Sequence, residues 1–474
     1  MSLPRDLAWE NILMSYRSSV AHKFARYALA LNYDMLPENV IHQAKRCLLD
    51  ALGCAVGAYE APGRVILEDF IDAAGGNEEA TMIGSGKKTN ALNATLLNSF
   101  LVRYLDFNDI GGGAHNSDSI SSILAVAERE KKSGKDLLTS IVISYELGAR
   151  VQEGVGSSAG KLEPMLLKGW TPDFRGSLNV PPAAGRLMGL NEDQIANAMG
   201  ICGSHSLPLG ILDTDKEENT MSKNFRFGFV AHDAVMALDL AKRGFTGPER
   251  IVEGENGIGE VILGGNYDAD RMTDFSGWRI LKCRHKYIPA NISTCGHILA
   301  TLAIVTENDL WPEDIAEVHI RAEKKEAKHC TFFSKKYPRN AESADHSAFY
   351  CNAIAIKEHH YGPDSFNEEK YKDPVVLDLI EKITVEADPN IPPKGLAGSS
   401  EIITKDGRRF YKMMDVPYGF GEKALTDQEL EEKFLSLTTP WMGSEQAEAL
   451  KNKIWNIDQC EDLGELMKLL VFKK

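Results

Sequence analysis

The sequence lacks several features that mark large classes of protein. Lysine and arginine number 53 against 68 aspartates and glutamates, so the net charge is −15. This deficit of positive charge argues against a nucleic acid or an anionic membrane surface as partner, because both are held mainly by lysine and arginine. No apolar run reaches 18 residues, and the first residues carry no cleavage signal. We therefore expect neither a membrane span nor a secretory peptide.

Metal and cofactor motifs are also missing. The eight cysteines include no C-x-x-C pair, and no two histidines stand four residues apart. The patterns of zinc sites, thioredoxin-like sites and iron–sulfur clusters are thus absent, and we expect no metal and no cofactor. The glycine-rich stretches at Gly84 and Gly257 lack the spacing of phosphate and dinucleotide loops. Scattered thiols in a long chain are typical of a reduced, cytoplasmic protein.

Apolar residues recur at helical spacing through most of the 474 residues. Between residues 37 and 59, for example, Val40, Ala44, Cys47 and Ala51 lie three or four positions apart, as on one face of an amphipathic helix. The same spacing predicts further helices at residues 90–105, 119–132, 135–153, 181–188, 191–206, 228–243, 345–358 and, in the tail, within 427–470.

The pattern changes after about residue 280. Alternating residues predict strands at 315–322 and 382–388, and a hairpin at 400–414 around the turn pair Asp406-Gly407. We therefore predict a mainly α protein, in which residues 1–283 and 425–474 form a large all-helical domain. A smaller α+β lid domain would be inserted at residues 284–424. A cleft between two such domains is a usual position for a small-molecule site.

The segment from Leu105 to Asp118 is the most informative for function. A predicted helix ends in the carboxylates Asp106 and Asp109, three glycines follow, and then comes His115. Three consecutive glycines cost backbone entropy, which favours a close approach of the backbone to a ligand. Asp106 and His115 could then act as an acid–base pair. A helix-capping loop with solvated aspartates is the alternative, and the residues themselves leave both open.

Two lysines and one helical pair add to the candidates. Lys223 stands just before a predicted helix, and Lys286 stands at the predicted domain junction. Ammonium groups at a cleft could hold the carboxylates of a substrate. His346 and Tyr350 are four residues apart, which would bring them to one helical face. Solvated lysines and a half-buried tyrosine at a helix start are the alternatives.

Several of these segments, in order along nearly the whole chain, resemble the MmgE/PrpD family of 2-methylcitrate dehydratases and cis-aconitate decarboxylases. The strongest match is Leu105-Asp106-Phe107-Asn108-Asp109, followed by His115-x-Ser117-Asp118. Weaker matches are Leu49-Asp50-Ala51-Leu52-Gly53, Lys223 with Gly228, Gly244-Phe245-Thr246-Gly247-Pro248, Lys286 with Pro289, and Asp345-His346-Ser347 with Tyr350. The resemblance implies a helical domain with a lid, a homodimer, and cofactor-free chemistry on tricarboxylates.

The resemblance also implies a set of cleft residues. These are Asp106, His115, Lys223, Lys286 and Tyr350, with His346 nearby. Two positions depart from the family pattern: Thr171 stands where a histidine is usual, and Asn116 stands where a proline usually follows the loop histidine. Threonine does not titrate near neutral pH as histidine does. One acid–base or anion-binding group of the relatives is therefore missing, and the substrate is expected to differ from theirs.

These features predict a cofactor-independent lyase that acts on a di- or tricarboxylate, first of all a hydro-lyase similar to 2-methylcitrate dehydratase. Asp106 and His115 would be base and acid in an unresolved order, and Lys223 and Lys286 would hold carboxylates. The remaining predicted roles are substrate contacts by His346 and Thr171, and a hydrogen bond or proton donation by Tyr350. Decarboxylation of cis-aconitate, epimerisation or isomerisation of a related acid, and a non-catalytic carboxylate-binding dimer stay as alternatives.

Overall fold

The computed structural model describes residues 14, 16–111, 115–155, 169–214, 216–391 and 396–472. It is mainly α-helical, as predicted. The helices of the first part are α1 Val20–Ala30, α2 Glu38–Gly57, α3 Pro62–Ala74, α4 Ala91–Tyr104, α5 Ile120–Arg129, α6 Gly134–Gly154, α7 Gly176–Leu187, α8 Glu192–His205, α9 Ser222–Lys242, α10 Ile258–Val261 and α11 Ala269–Met272. A two-stranded ribbon, β1 Ala80–Thr81 with β2 Lys88–Thr89, precedes α4.

The second part of the chain combines helices with a sheet. Its helices are α12 Cys295–Asn308, α13 Lys324–His329, α14 Phe333–Lys336, α15 Ala341–Ala344, α16 Ala348–Glu358, α17 Glu368–Tyr371, α18 Pro374–Lys382, α19 Asp427–Trp455 and α20 Gly464–Leu469. Its strands are β3 Ile315–Ala322, β4 Ile383–Ala387, β5 Gly398–Thr404 and β6 Arg409–Met414. The sheet order is β4-β3-β5-β6, with β3 parallel to β4 and antiparallel to β5.

Capping residues explain where several helices begin. The Asn90 side chain accepts a hydrogen bond from the backbone of Asn93 and starts α4. Ser133 and Asp136 form a reciprocal capping box at the start of α6. Such caps supply partners for backbone N–H groups that a helix leaves open at its first turn. Both helices therefore begin within a residue of where periodicity predicts them.

Two predicted helices near the site begin earlier than expected. Helix α7 starts at Gly176, so Pro181 and Pro182 lie inside it and not near its start. Interior prolines cost about 3 kcal/mol in an isolated helix, but both are fully buried here, and tertiary packing outweighs the local preference. Helix α9 starts at Ser222, so Lys223 lies in its first turn and not before it.

One large hydrophobic core is built from both ends of the chain. It contains buried residues from Val20 to Cys283 and again from Leu425 to Phe472. Helix α19 returns to pack against α2, where a Cβ on Gly53 would meet the ring of Phe434 at 3.0 Å. The close approach of these two helices explains why a small residue stands at this position.

A second core lies between the four-stranded sheet and helices α12, α16 and α18, within residues 288–402. The hairpin of β5 and β6 turns at Asp406-Gly407 as predicted, with Gly407 at φ 86°. The division into domains at residues 284 and 424 stays a prediction. No helix among the described residues is long and apolar enough to cross a membrane. All eight cysteines are buried.

Candidate active site

Asp106 lies at the centre of a buried group of charges, next to the end of helix α4. Its backbone is left-handed, with φ 45°, a conformation that aspartate tolerates better than most residues. Its Oδ1 accepts hydrogen bonds from Arg103 Nη1 at 2.5 Å and from Lys286 Nζ at 2.7 Å. Since Asp106 is only 2% exposed, these two cations supply the charge compensation that water would otherwise give.

Backbone pairing brings the distant Lys286 to this point. Ile110 and Arg284 exchange two backbone hydrogen bonds of 2.8 Å, which align the two segments antiparallel. From helix α19, Lys433 Nζ donates to the carbonyl oxygens of Phe107 at 2.7 Å and Lys286 at 3.0 Å. Helix α19 thus holds both site-bearing segments in register.

All three ammonium protons of Lys286 are taken by the protein. Nζ donates to Asp106 Oδ1, to the Asp106 carbonyl at 2.7 Å and to the Ala290 carbonyl at 3.0 Å. An ammonium group has three donors and no acceptor. In this arrangement Lys286 orients Asp106 with all three donors, and its role as a carboxylate holder stays a prediction.

Lys223 joins two segments from opposite cores. It is fully buried, and its Nζ lies 2.9 and 3.1 Å from the two carboxylate oxygens of Asp345 and 3.1 Å from His346 Nδ1. Asp106 Oδ2 is 4.0 Å away. We call Asp106, His115, Lys223, Lys286, Asp345 and His346 the central cluster. It lies between the large helical core and the smaller core.

His115 is the most exposed member of the central cluster. Its Nε2 lies 3.6 Å from Asp106 Oδ1, and its side chain is 15% exposed. Its Nδ1 is buried and has no hydrogen-bond partner among the residues the structure describes. The predicted proximity of Asp106 and His115 is therefore present, and one imidazole nitrogen stays open for a further group.

Burial and neighbouring charges set the protonation states of the cluster. Burial alone would raise the pKa of Asp106, but Arg103, Lys286 and Lys223 outweigh it and hold that pKa well below its usual range. Burial, reinforced by Arg103 and Lys286, holds the pKa of His115 well below its ordinary value. Burial and Lys223 lower the pKa of His346 to about 4. At neutral pH the site thus combines an ionised carboxylate with two neutral imidazoles.

A second chain of ions connects His115 to the Thr171 segment. Arg175 Nη2 donates to the His115 carbonyl at 2.7 Å, and Arg175 Nη1 donates to Asp173 at 2.8 Å. Thr171 Oγ1 accepts from the backbone of Asp173 at 3.4 Å and caps the short 3-10 turn Pro172–Arg175. Thr171 therefore orients the arginine that supports His115. Its predicted contact with substrate is not tested by this arrangement.

Tyr350 is turned away from these charges. Its hydroxyl donates to the Ser365 carbonyl at 2.5 Å, and its ring packs against Phe366 and Tyr371 in the smaller core. Helix α16 begins at Ala348 with Ser347 as its cap, so His346 lies outside it. The prediction that His346 and Tyr350 share a helical face is therefore wrong. His346 joins the central cluster, and the hydroxyl of Tyr350 would have to leave Ser365 to act there.

Some of these groups lie close enough together to hold a metal ion. Asp106, Asp345 and His346 offer ligand atoms within 4.8 Å of one another. Lys223 Nζ already contacts all three, so a lysine supplies the positive charge at this point. Two further groups have ligand atoms equally close to one another: Cys47 with Asp109 and Cys283, and Asp50 with Asp109 and His285.

Three charged residues that complete the site were not among the predicted site residues: Arg103, Asp345 and Arg175. Arg103 lies in the last turn of α4, three residues before Asp106, a spacing that permits an ion pair. Asp345 precedes the candidate His346 directly, so its contact with the cluster could have been suspected. The role of Arg175 depends on tertiary contact with His115, for which the sequence carries no signal.

Comparison with known proteins agrees with this architecture. The MmgE/PrpD N-terminal domain matches residues 22–270, and the MmgE/PrpD C-terminal domain matches residues 288–459. Cis-aconitate decarboxylase of Homo sapiens is 25% identical over 95% of this chain and 94% of its own length. The enzyme of that name from Aspergillus terreus is 22% identical over 96% of each chain.

A further relative matches over a shorter stretch. The 2-methylcitrate dehydratase of Salmonella typhi is 25% identical over 186 residues, 36% of this chain and 37% of its own length. The two domain matches together span most of the sequence and include every member of the central cluster except Lys286, which lies between them. This chain belongs to the MmgE/PrpD family.

Proposed function

We propose that the protein is a cofactor-independent lyase acting on a di- or tricarboxylate, and first of all a hydro-lyase similar to 2-methylcitrate dehydratase. The observation that carries the proposal is the meeting of Asp106, His115 and Lys223 within 4 Å contacts, although they come from separate segments. An acid–base group beside buried cations suits proton removal from a carbon next to a carboxylate.

His115 is the base in this proposal. A general base must be deprotonated and must have a free lone pair. The lowered pKa of His115 keeps its imidazole neutral, and its Nδ1 has no partner among the described residues. Asp106 is a weak base because Arg103 and Lys286 stabilise its ionised form and so lower its affinity for a proton. Asp106 would instead orient His115 and balance the charge of the imidazolium that forms.

Lys223 would stabilise the negative charge that develops on the substrate. When His115 removes the proton, charge moves toward the adjacent carboxylate as in an enolate, and a fixed cation lowers the energy of that state. Lys223 is held by the two carboxylate oxygens of Asp345 and, because His346 Nδ1 carries a proton that Asp345 accepts, keeps one ammonium donor for the substrate. Departure of the hydroxyl from the neighbouring carbon, protonated to water by the His115 imidazolium, would then complete the elimination and return His115 to its neutral form.

Decarboxylation of cis-aconitate is the second candidate. The cis-aconitate decarboxylases match nearly the whole chain, whereas the 2-methylcitrate dehydratase above matches about a third of it. Loss of carbon dioxide also creates a carbanion that Lys223 could stabilise. The two reactions are distinguished by their substrate and by the carbon that gains or loses a proton.

The experiment measures turnover of 2-methylcitrate, citrate and cis-aconitate after chelator treatment, by ultraviolet absorbance of the alkene. His115→Gln should lower turnover about 10²–10⁴-fold, the usual contribution of a general base. His232→Gln is the matched control, since His232 is also partly buried beside a carboxylate. In wild type, kcat/KM should stay level below pH 6.5, because the lowered pKa keeps His115 deprotonated there. Binding of these acids without turnover would favour the non-catalytic alternative.

We also propose that two copies of the chain form a homodimer in the cytoplasm. Val65, Ile66 and Phe70 on α3 and Phe229 on α9 are each more than half exposed. Both helices pack against α4, because Phe225 of α9 contacts Phe100 and Phe100 lies against Gly63 of α3. Such an apolar surface suits a second copy. Sedimentation equilibrium at the mass of one chain would contradict the dimer.

A further inference from the structure

A carboxylate in the loop before helix α9 is not used by the proposed chemistry. Asp213 ends the 3-10 turn Gly210–Asp213, and its Oδ2 accepts a hydrogen bond from Arg226 Nη1 at 3.0 Å. Its Oδ1 is buried and has no hydrogen-bond donor among the described residues. A buried polar atom without a partner is costly, so the oxygen invites a donor from a bound molecule.

This oxygen faces the central cluster. It lies 3.8 Å from His346 Nε2, too far for a hydrogen bond. Asp345 Oδ1, 2.5 Å from His346 Nδ1, favours the proton on Nδ1 and leaves the lone pair on Nε2. A ring nitrogen of His329 lies within 4.8 Å of both other groups. A carboxylate oxygen and an imidazole lone pair thus face the same small space.

We propose that Asp213 is a specificity-determining residue that accepts a hydrogen bond from a hydroxyl group of the substrate. The inference rests on the proposed function and deepens it, because it selects hydroxylated acids over unsaturated ones. A hydroxyl is a neutral donor and satisfies Asp213 Oδ1, whereas a substrate carboxylate would be repelled by it.

The charge of Asp213 supports this role. Burial alone would raise its pKa, but Arg226 and the neighbouring His346 and Lys223 outweigh burial and hold the pKa well below its usual range. Asp213 is therefore an ionised acceptor at neutral pH. Hydrogen bonds to charged acceptors are about twice as strong as those between neutral groups.

Citrate and tricarballylate provide the test, since they carry the same three carboxylates and differ in one hydroxyl. Isothermal titration calorimetry should show that wild type binds citrate about 10- to 100-fold more tightly. In Asp213→Asn the amide oxygen would face the Arg226 donor, and the NH₂ group would replace the acceptor. The ratio of the two dissociation constants should then fall to about 1.

Asp239→Asn is the matched control. Asp239 Oδ2 also lies 3.0 Å from an arginine, Arg129, and its side chain is 26% exposed against 22% for Asp213. This variant should keep the wild-type preference for citrate. Equal affinity of wild type for the two acids, or an equal loss for both in Asp213→Asn, would overturn the inference. The wild-type comparison decides the question even if the variant does not fold.

The outcomes also separate the inference from the function it rests on. A preference for citrate that Asp213→Asn abolishes, without turnover of any acid, would support hydroxyl recognition and overturn the lyase proposal. Turnover of cis-aconitate with no preference for citrate over tricarballylate would support the lyase proposal and overturn hydroxyl recognition by Asp213. Binding of neither acid would overturn both.

Discussion

Replacement of Asp106 by asparagine tests how strongly the buried charges depend on one carboxylate. Asparagine keeps the shape of the side chain and tolerates the left-handed backbone at φ 45°. The change therefore removes charge alone. Arg103 and Lys286, which both donate to Asp106 Oδ1, lose their shared counter-ion. Both cations are buried, so water cannot replace it.

The structure gives the expected size of the effect. Breaking a buried ion pair by removing one partner costs about 3–5 kcal/mol. The loss is not doubled for two cations, because Lys286 keeps its bonds to the carbonyls of Asp106 and Ala290. We therefore expect Asp106→Asn to lower the free energy of unfolding by about 3–5 kcal/mol.

Urea unfolding at pH 7 measures this free energy, with turnover recorded on the same samples. Asp309→Asn is the control, since Asp309 has φ 49° at the end of α12 and is exposed. Asp309→Asn should lower the free energy of unfolding by less than about 0.5 kcal/mol. In a double-mutant cycle with Lys286→Met, the losses should fall short of additivity by about 1–3 kcal/mol. A loss below 1 kcal/mol for Asp106→Asn would refute the view that this carboxylate compensates two buried cations.

Two further predictions concern neighbouring groups. Tyr350→Phe removes the hydrogen bond to the Ser365 carbonyl, so it should cost about 1–3 kcal/mol in urea unfolding while kcat changes less than tenfold. A 10²-fold loss of kcat would restore the catalytic role that the sequence predicts. Burial raises the pKa of Asp118 to about 7, although Arg103 and Arg175 oppose this shift. The proton on Asp118 therefore stabilises the folded state at acidic pH, and this contribution is lost as the pH rises through 7. Between pH 5 and pH 8 the free energy of unfolding of Asp118→Asn should therefore rise by about 3 kcal/mol relative to that of wild type. Parallel profiles of unfolding free energy against pH for the two proteins would contradict this.

The periodicity of side chains predicts most of the fold because it reports burial directly. Strand β3 has the predicted bounds, and its residues alternate between the smaller core and the opposite face. The hairpin turn at Asp406-Gly407 is likewise local, since Gly407 supplies the positive φ the turn needs. Elements whose signal lies within a few neighbouring residues are those that the sequence predicts best.

The helix starts around the site could not be predicted in this way. The predicted helix begins at Asp345, but Ser347 caps α16 and the helix begins three residues later, at Ala348. Lys223, in the first turn of α9, is buried against Asp345, which lies 122 residues away. The cap is local and the ion pair is distant, and the periodicity of apolar residues reports neither.

For the site, residue types could be predicted but their roles could not. The sequence identifies Asp106, His115, Lys223 and Lys286 as candidates, and the structure brings them together. Whether a lysine is free to bind substrate depends on how many of its protons the protein already uses. For Lys286 that number depends on the carbonyls of Asp106 and Ala290, which approach it only after folding. The spacing of residues in the sequence does not predict these hydrogen bonds.

The distribution of unsatisfied atoms indicates where a substrate would complete the site. Most charges here have counter-charges: Lys223 has Asp345, Lys286 has Asp106, and Arg226 has Asp213. Two of the buried atoms at the site that have no hydrogen-bond partner among the described residues are His115 Nδ1 and Asp213 Oδ1. One is a lone pair suited to accept a proton, and the other is an acceptor suited to a hydroxyl. Under the proposed function, a hydroxy acid would offer its C–H proton to the first and its hydroxyl to the second.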